Sequence, residues 1–172
     1  MALNVFLSVG RPFTPEQEQF IASVETYLTG HGLRARTVGR TEFTHKQPLQ
    51  LINELMDHSA GALVIALERI AISEGTEKGG PPSGAVLRNE FLATPWNQIE
   101  AAMAYAKRIP LFVIRQTSVR PEGLLEGRYD WYVHAVDLNP KFLLSTEFAG
   151  TFESWKRDVR ARAGWFRHRD KN

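Results

Sequence analysis

The chain of 172 residues has 43% hydrophobic and 23% charged residues, an ordinary composition for a globular protein. It contains no cysteine, which excludes disulfide bonds, thiolate metal sites and a cysteine nucleophile. The 21 basic and 19 acidic residues give a formal net charge of +2, too balanced to indicate a specific nucleic acid as partner. No apolar run reaches the roughly 20 residues that span a membrane, and no targeting signal is evident, so we expect a cytoplasmic protein without a membrane partner.

The first part of the chain alternates apolar runs with segments of helical periodicity. Residues 4–9 are short, apolar and followed by Gly10, which predicts a buried strand. Thr14-Pro15 combines a capping hydroxyl with a proline suited to the first helical turn, which predicts a helix start. By the same criteria we predict strands at 4–9, 33–38 and 61–67, and helices at 15–30 and 47–58.

The second part contains two long segments without a clear period. Residues 70–93 are rich in glycine, proline and serine, and we interpret them as a loop whose Arg88-Asn89-Glu90 stretch is a candidate for gating a site. Thr94-Pro95 repeats the helix-start signal and predicts a helix to about Arg108. Its inner face is predicted to carry Trp96, Ile99, Met103 and Ala104. The remaining predictions are a strand at 110–115, a loop at 116–132, a strand at 133–138 and a basic amphipathic helix at 148–166.

This order of elements predicts a single α/β domain over residues 1–172. Alternating strands and helices favour a flavodoxin-like three-layer sandwich, with a five-stranded parallel sheet in the order 2-1-3-4-5 and helices on both faces. In such a sheet, ligands bind beyond the carboxyl ends of the first and third strands, where the strand order reverses. The segments 9–13 (VGRPF) and 70–94 are the loops at that place, and we expect the site between them.

Glu100 is the acid that stands out near this crevice. It lies in the first turns of the helix that follows the 70–94 segment, and Trp96 is one turn earlier on the same face. An acid on an otherwise apolar helix face is partly desolvated, which is unfavourable unless the group is used or paired. The alternative interpretation is an ordinary acid stabilised by the helix dipole.

Five further residues are candidates for substrate binding. Arg11 can pair with a pyrophosphate, and the rings of Phe13 and Trp96 can stack on a base. A hydroxyl at the end of the first strand can bind a phosphate or a ribose. Each of these side chains also has an ordinary packing or surface role that the sequence leaves open. The set consists of Ser8, Gly10, Arg11, Phe13 and Trp96.

Trp96-Asn97-Gln98-Ile99-Glu100 forms a W-x-x-x-E pattern that resembles the motif of bacterial TIR domains, at the position of that family's catalytic glutamate. Val5 to Ser8 resembles the family's first strand. Residues 101–114 (AAMAYAKRIPLFVI) resemble the matching stretch of nucleoside 2-deoxyribosyltransferases. The segment 39–43 (GRTEF) departs from the animal TIR pattern, which favours the prokaryotic branch of the TIR-like family.

The resemblance implies an enzyme that cleaves the N-glycosidic bond of NAD, as an NAD hydrolase or an ADP-ribose cyclase. Glu100 would be the catalytic residue, since a carboxylate can stabilise an oxocarbenium-like ribose or act as nucleophile. NAD would be the substrate, with no cofactor and no metal. The resemblance further implies a prokaryotic immune or antiviral effector or signal generator that self-associates, with a separately encoded sensor or effector protein as a possible partner.

Two alternatives remain open at this point. One is a nucleoside 2-deoxyribosyltransferase-like hydrolase that acts on a nucleoside or nucleotide through the same glutamate. The other is a non-enzymatic module that senses a nucleotide or assembles through its surface. A purified protein that releases no base from any nucleotide would favour the second alternative.

Overall fold

The computed structural model describes residues 2–45, 47–128 and 130–169, with side chains up to Gly164. Two short 3₁₀ helices, Gly123–Leu125 and Pro140–Leu144, occur in connecting segments. The other elements in chain order are β1 (Leu3–Val9), α1 (Pro15–Gly30), β2 (Leu33–Arg36), α2 (Pro48–Asp57), β3 (Gly61–Ala66), β4 (Ile70–Glu77), β5 (Ala85–Leu92), α3 (Pro95–Ala106), β6 (Leu111–Gln116), β7 (Val133–Val136) and α4 (Thr146–Arg169).

The main sheet has the strand order β2-β1-β3-β6-β7, and all its neighbouring strands are parallel. β6 and β7 are the fourth and fifth strands of the prediction, so the predicted order 2-1-3-4-5 is confirmed. The chain moves outward from β1 to β2 and then returns past β1 to β3. This reversal places a crevice beyond the carboxyl ends of β1 and β3.

Alternation along β1 divides the interior into two layers. Val5 and Leu7 are fully buried and belong to the cluster that α1 and α4 cover. Phe6 belongs to the cluster on the opposite face, which includes residues of α2 and α3. Burying side chains of this size stabilises the fold by roughly 1.5–3 kcal/mol each. Ser8 lies on the same face as Phe6, because side chains two residues apart on a strand share a face, and so it points toward α3.

The α4 helix packs closely on the sheet. Phe148, Phe152 and Trp155 are buried on its inner face. A Cβ atom at Gly61 would lie 2.6 Å from Val159 Cγ2, so glycine at this position lets the helix approach β3. The helix was predicted at 148–166 and forms at Thr146–Arg169, while the predicted inward side chain of Trp165 lies outside the described residues.

The interpretation of residues 70–93 as a loop is wrong. They form an antiparallel hairpin of β4 and β5, whose pairing runs from Ile70↔Leu92 to Glu77↔Ala85. Both strands are largely exposed and carry no continuous apolar face, so the period-two signal of a half-buried strand is weak. At the tip, a Cβ atom at Gly84 would lie 1.8 Å from the Glu77 carbonyl oxygen, which admits only glycine.

The base of the hairpin is attached to the segment that follows β6. Phe91 forms a parallel bridge with the buried Val119, and the Arg120 amide donates to the Phe91 carbonyl oxygen at 2.8 Å. The Arg120 guanidinium also pairs with Glu77 at 2.5 Å. The predicted gating stretch, 88–90, lies within β5.

The predicted inner face of α3 is partly wrong. Ile99 is 42% exposed and Trp96 is 44% exposed, whereas Asn97 and Glu100 are buried. Ala104 is buried as predicted. The first turns of α3 face the polar end of β1 rather than an apolar layer, so the apolar residues of these turns do not mark the inner face of the helix. Within the described ranges, no helix combines the length and apolar character needed to cross a membrane.

Candidate active site

The first turn of α3 is fixed next to the end of β1. Thr94 caps the helix, with its hydroxyl accepting a hydrogen bond from the Trp96 amide at 3.4 Å, and Pro95 occupies the first turn. A Cβ atom at Gly10 would lie 3.2 Å from Thr94 Cγ2. The absent side chain of Gly10 therefore allows the segment after β1 to lie against this cap. As a result, residues one and two turns into α3 face the crevice edge of the sheet.

Asn97, Ser8 and Glu100 form a continuous chain of hydrogen bonds in the interior. The Asn97 amide nitrogen donates to Ser8 Oγ at 2.9 Å and to the Ser8 carbonyl oxygen at 3.3 Å. The Ser8 hydroxyl in turn bonds to the Glu100 carboxyl. Asn97 and Ser8 are each 1% exposed, and Glu100 is 8% exposed. The structure thus brings together the predicted Ser8 and Glu100, and it adds Asn97, which the sequence analysis had not selected.

The protonation of Glu100 is shifted by this environment. Burial raises the pKa of Glu100 to about 7, and the hydrogen bond from Ser8 acts in the opposite direction. No cation among the described residues contributes to the shift. Near neutral pH the carboxyl group is therefore present in both protonated and ionised forms. A group in this state can carry negative charge against a developing cation or exchange a proton.

Two cavities meet at the segment that follows β1. A small one of about 10 Å³ lies toward β3 and α3, and a larger groove of about 740 Å³ lies toward β2. Gly10 and Arg11 line both, so the two form one crevice over the end of β1. The small cavity is lined by Gly10, Arg11, Leu67, Glu68, Arg69, Thr94 and Asn97. The groove is lined by Val9, Gly10, Arg11, Pro12, Glu18, Thr37, Val38, Gly39 and Arg40.

Gln17 holds the segment between β1 and α1 in place, and the sequence analysis missed it. Its buried side chain accepts from the Phe13 amide at 3.0 Å and donates to the Glu68 carbonyl oxygen at 3.0 Å. Its own amide donates to the hydroxyl of Thr14, the helix cap, at 3.2 Å. The signal was present in the sequence, because a threonine followed three residues later by glutamine is the pattern of a capping box.

Glu68 continues this connection toward β6. The Gln116 side chain accepts from the Glu68 amide at 3.1 Å and donates to the Glu68 carboxylate at 3.0 Å. The Ser118 hydroxyl donates to the same carboxylate oxygen. Gln17 and Gln116 therefore tie the ends of β1, β3 and β6 together through Glu68.

Of the remaining predicted binding residues, Gly10 and Arg11 line the crevice, whereas Phe13 and Trp96 line neither of its cavities. Arg11 is exposed at its rim, and within the described ranges the structure records no ion pair for it. Phe13 is 64% exposed, and Trp96 lies exposed beside the cap of α3. Among the described residues, the structure records no side-chain hydrogen bond or ion pair between these residues and Glu100. Arg69, which the sequence analysis did not select, is an exposed second cation beside Arg11 in the lining of the small cavity.

A second large cavity, of about 750 Å³, lies at the opposite end of the strands, where they begin; we call this the amino edge of the sheet and the end beside Glu100 the carboxyl edge. It borders the amino end of β6 and the segment before β7, and its walls include Tyr105, Trp131 and Trp155. The indole of Trp155 donates to the Pro110 carbonyl oxygen at 3.0 Å, so this polar group is already satisfied. Since ligands of parallel α/β sheets bind at the carboxyl ends of the strands, the crevice over the end of β1 is the better candidate. Glu100 lines neither of its cavities but is connected to the small one through Ser8 and Asn97.

Metal chemistry has no apparent ligand set in the part of the chain that the structure describes. That part contains no group of three or more histidine, cysteine, aspartate or glutamate side chains placed to hold an ion. Next to the crevice lies the buried carboxyl group of Glu100, which is bonded to the Ser8 hydroxyl, and Ser8 in turn accepts from the Asn97 amide.

Comparison with known proteins informs the fold. No family model matches the sequence, and no curated protein matches it. Among solved structures, the chain is similar to a CMP N-glycosidase of Clostridium botulinum, BcmB, with a TM-score of 0.53 and 14% identity over 85% of this chain and 98% of that one. At this identity the match shows a shared α/β fold. The TIR resemblance stays a prediction.

Proposed function

We propose that this protein is an N-glycosidase that cleaves a nucleotide, with Glu100 as its catalytic carboxylate. The observation that carries the proposal is the buried Asn97–Ser8–Glu100 chain at the carboxyl end of β1. N-glycosidic cleavage passes through an oxocarbenium-like sugar, and a poorly solvated carboxylate stabilises that charge strongly. The shared fold with an enzyme described as a CMP N-glycosidase supports this class of reaction.

In the proposed reaction, the bond between the anomeric carbon and the base nitrogen breaks, and its electron pair leaves with the base. Ionised Glu100 lies against the anomeric carbon and stabilises the positive charge that develops there. The Ser8 hydroxyl donates to the carboxylate and fixes its orientation. Addition of water to the anomeric carbon, with loss of a proton, completes the hydrolysis.

NAD is the substrate that we propose first. Its nicotinamide ring is cationic and leaves as a neutral molecule, so the protein need not supply a proton. This suits a site with one available carboxyl group, because the carboxylate of Glu68 is already bonded to Gln116 and Ser118. The pyrophosphate of NAD would pair with Arg11 and Arg69 at the rim. An immune or antiviral role through loss of NAD, with self-association and a separate sensor or effector partner, belongs to the same proposal.

A nucleoside monophosphate is the second candidate substrate. Two observations favour it: the CMP specificity stated for the solved neighbour, and the raised pKa of Glu100. With a pKa of about 7, the protonated carboxyl is available at neutral pH and can donate to a leaving base that is not cationic. The two candidates therefore assign opposite active forms to the same residue.

The test is to incubate the protein, at low and high concentration, with NAD and separately with a panel of nucleoside 5′-monophosphates. Products are separated by liquid chromatography, with Glu100→Gln beside the wild type. Asp158→Asn is the matched control, since it makes the same acid-to-amide change at an exposed residue of the opposite cavity. Release of base by the wild type and the control, and not by Glu100→Gln, supports the proposal. Release by Glu100→Gln at the wild-type rate refutes the assignment of Glu100.

The pH dependence separates the two substrates. If ionised Glu100 is the active form, kcat/KM rises with pH through about pH 7 and then levels off. If the protonated form is active, kcat/KM falls through the same range. A failure to release any base from any nucleotide in the panel would favour the binding module over the enzyme.

A further inference from the structure

We propose that Asn97 recognises the sugar of the substrate, with its side-chain oxygen accepting a hydrogen bond from the 2′- or 3′-hydroxyl of ribose. The proposal rests on the proposed function, because it names a part of the substrate that the same crevice binds. It makes Asn97 a specificity-determining residue for ribose over deoxyribose.

The orientation of the Asn97 amide is fixed by its neighbours. Its nitrogen faces the Ser8 carbonyl oxygen at 3.3 Å, and a carbonyl oxygen can only accept. Turning the amide over would place two oxygens against each other. The nitrogen also donates to Ser8 Oγ at 2.9 Å, so both Ser8 contacts are made by Nδ2 and the side-chain oxygen Oδ1 points elsewhere.

Asn97 Oδ1 is a buried acceptor without a partner among the described residues. The whole residue is 1% exposed. Buried polar atoms in native proteins are hydrogen-bonded in the great majority of cases, and a lone acceptor is unfavourable until a donor reaches it. An exception of this kind beside a carboxyl group with a shifted pKa indicates a position that a ligand fills.

The size and charge of the surroundings define the group that fits. The small cavity that Asn97 lines measures about 10 Å³, close to the volume that holds one water-sized group, so it admits a hydroxyl and not a ring. The side-chain oxygen of Asn97 can only accept hydrogen bonds, so it attracts donors and repels phosphate. On a nucleotide, the neutral donors nearest to the anomeric carbon are the 2′- and 3′-hydroxyls of ribose.

The spacing along α3 agrees with this assignment. Asn97 precedes Glu100 by three residues, so the two side chains lie on one face of the helix, one turn apart. Both bond to Ser8 and are therefore held in a fixed relation. A sugar whose anomeric carbon contacts Glu100 thus presents a neighbouring hydroxyl toward Asn97.

The experiment is a thermodynamic cycle in which each enzyme variant is combined with each substrate analogue. Values of kcat/KM are measured for wild type and Asn97→Ala with the nucleotide that is turned over and with its 2′-deoxy and 3′-deoxy analogues. Differences in the intrinsic reactivity of the sugars cancel in the cycle. We expect Asn97→Ala to lower kcat/KM on the ribose substrate roughly tenfold to a hundredfold more than on one of the deoxy analogues. The analogue that shows this coupling identifies the hydroxyl.

Two variants separate recognition from positioning. Ser8→Ala keeps the backbone carbonyl that orients Asn97, so it should lower turnover while retaining the preference for ribose. Asn97→Asp keeps an acceptor and loses the donor to Ser8, and it should also retain the preference. Equal losses on ribose and deoxyribose substrates with Asn97→Ala would mean that the residue acts only through Ser8, and would overturn the proposal.

Binding to the wild-type protein gives a readout that requires neither turnover nor a folded variant. Calorimetry with ribose 5-phosphate, 2-deoxyribose 5-phosphate and 3-deoxyribose 5-phosphate should show tighter binding of the first by roughly tenfold or more over one of the others. This preference without any turnover would leave the inference standing and remove the proposed function. Turnover without a preference among the sugars would leave the proposed function standing and remove the inference. Absence of both turnover and binding overturns the inference.

Discussion

The two edges of the parallel sheet carry cavities of nearly equal size, about 740 Å³ beside the carboxyl end of β1 and about 750 Å³ at the amino end of β6. They differ in the state of their polar groups. At the amino edge, the Trp155 indole and the Tyr105 hydroxyl already have hydrogen-bond partners within the protein. At the carboxyl edge, Glu100 has a strongly raised pKa and the oxygen of Asn97 lacks a partner among the described residues.

This difference shows that cavity volume alone does not identify a functional site. The amino-edge cavity lies between aromatic side chains of α3, α4 and the segment before β7. At the carboxyl edge, the start of α3 lies beside the ends of β1, β3 and β6. Polar groups therefore lie close together there, and the hydrogen bonding of some of them is incomplete within the protein. Incomplete hydrogen bonding and a shifted pKa are the features that point to a ligand.

The largest expected contrast between the edges is in catalysis. Glu100→Gln should lower base release by at least about a thousandfold, because it removes the carboxylate that we propose stabilises the sugar cation. Asp158→Asn, at the amino edge, should leave the rate unchanged. The check is product formation by liquid chromatography with both variants at equal concentration. A rate loss in Asp158→Asn similar to that in Glu100→Gln would reverse the assignment of the two cavities.

Glu100→Gln, which should lower the rate, should raise the stability of the folded protein. The pKa of Glu100 is raised in the folded state from 4.5 to about 7, so the folded protein holds a proton that the unfolded chain has already lost in that range. Stability from this residue is therefore present at low pH and lost as pH rises through about 7. Glutamine cannot ionise, so Glu100→Gln should be more stable than wild type by up to about 3 kcal/mol at about pH 8.

Urea denaturation at about pH 5 and about pH 8 checks this expectation. The stability difference between the two proteins should be small at the lower pH and large at the higher one. A difference that does not depend on pH would mean that Glu100 is not desolvated in solution as it is in the structure.

The next contrast between the two edges concerns how tightly side chains pack around a glycine at each of them. Gly61→Ala, under α4, places a Cβ atom 2.6 Å from Val159 and 2.9 Å from Trp155, and should destabilise the fold by about 1–3 kcal/mol. Gly10→Ala meets only Thr94, at 3.2 Å, and should cost less while disturbing the crevice. Thermal melting and base release, measured on both variants, should therefore rank them in opposite orders. The same ranking in both assays would show that the two edges are not independent.

The smallest expected effect concerns the contribution of Ser8 to the pKa of Glu100. Loss of the Ser8 hydroxyl removes the hydrogen bond that lowers the pKa of Glu100, so that pKa should rise above about 7 in Ser8→Ala. If ionised Glu100 is the active form, the rising limb of the kcat/KM profile should move to higher pH. A shift of one unit corresponds to about a fivefold lower rate at pH 7 and to about a tenfold lower rate well below the pKa. An unchanged midpoint would indicate that Ser8 does not interact with Glu100 during the reaction.

The sheet order could be predicted because alternating strands and helices leave few arrangements of a parallel sheet. The position of Glu100 followed from the same argument, since the helix after the third strand starts at the crevice. The hairpin of β4 and β5 could not be predicted in this way. Its strands are exposed on both faces and lack the apolar alternation that a buried face imposes, so glycine and proline dominated the interpretation of this segment.

The role of Asn97 depended on a contact that no local pattern contains. It bonds to Ser8, which is 89 residues earlier in the chain. Ile99 was assigned inward on apolar character alone, and it is exposed because the neighbouring polar residues are the ones that face β1. Sequence periodicity describes the buried face of a helix only where that face meets an apolar layer.

The burial of Glu100 has a consequence for binding kinetics. With only about 10 Å³ of space beside Asn97, the proposed function leads us to expect that a sugar reaches the carboxyl only after the segment around Gly10 separates from the cap of α3. The observed rate of complex formation should then stop increasing at high ligand concentration, where it equals the rate of this opening. The apparent affinity would be reduced by the fraction of molecules that are closed, so substitutions that favour the open form would tighten binding without touching the ligand.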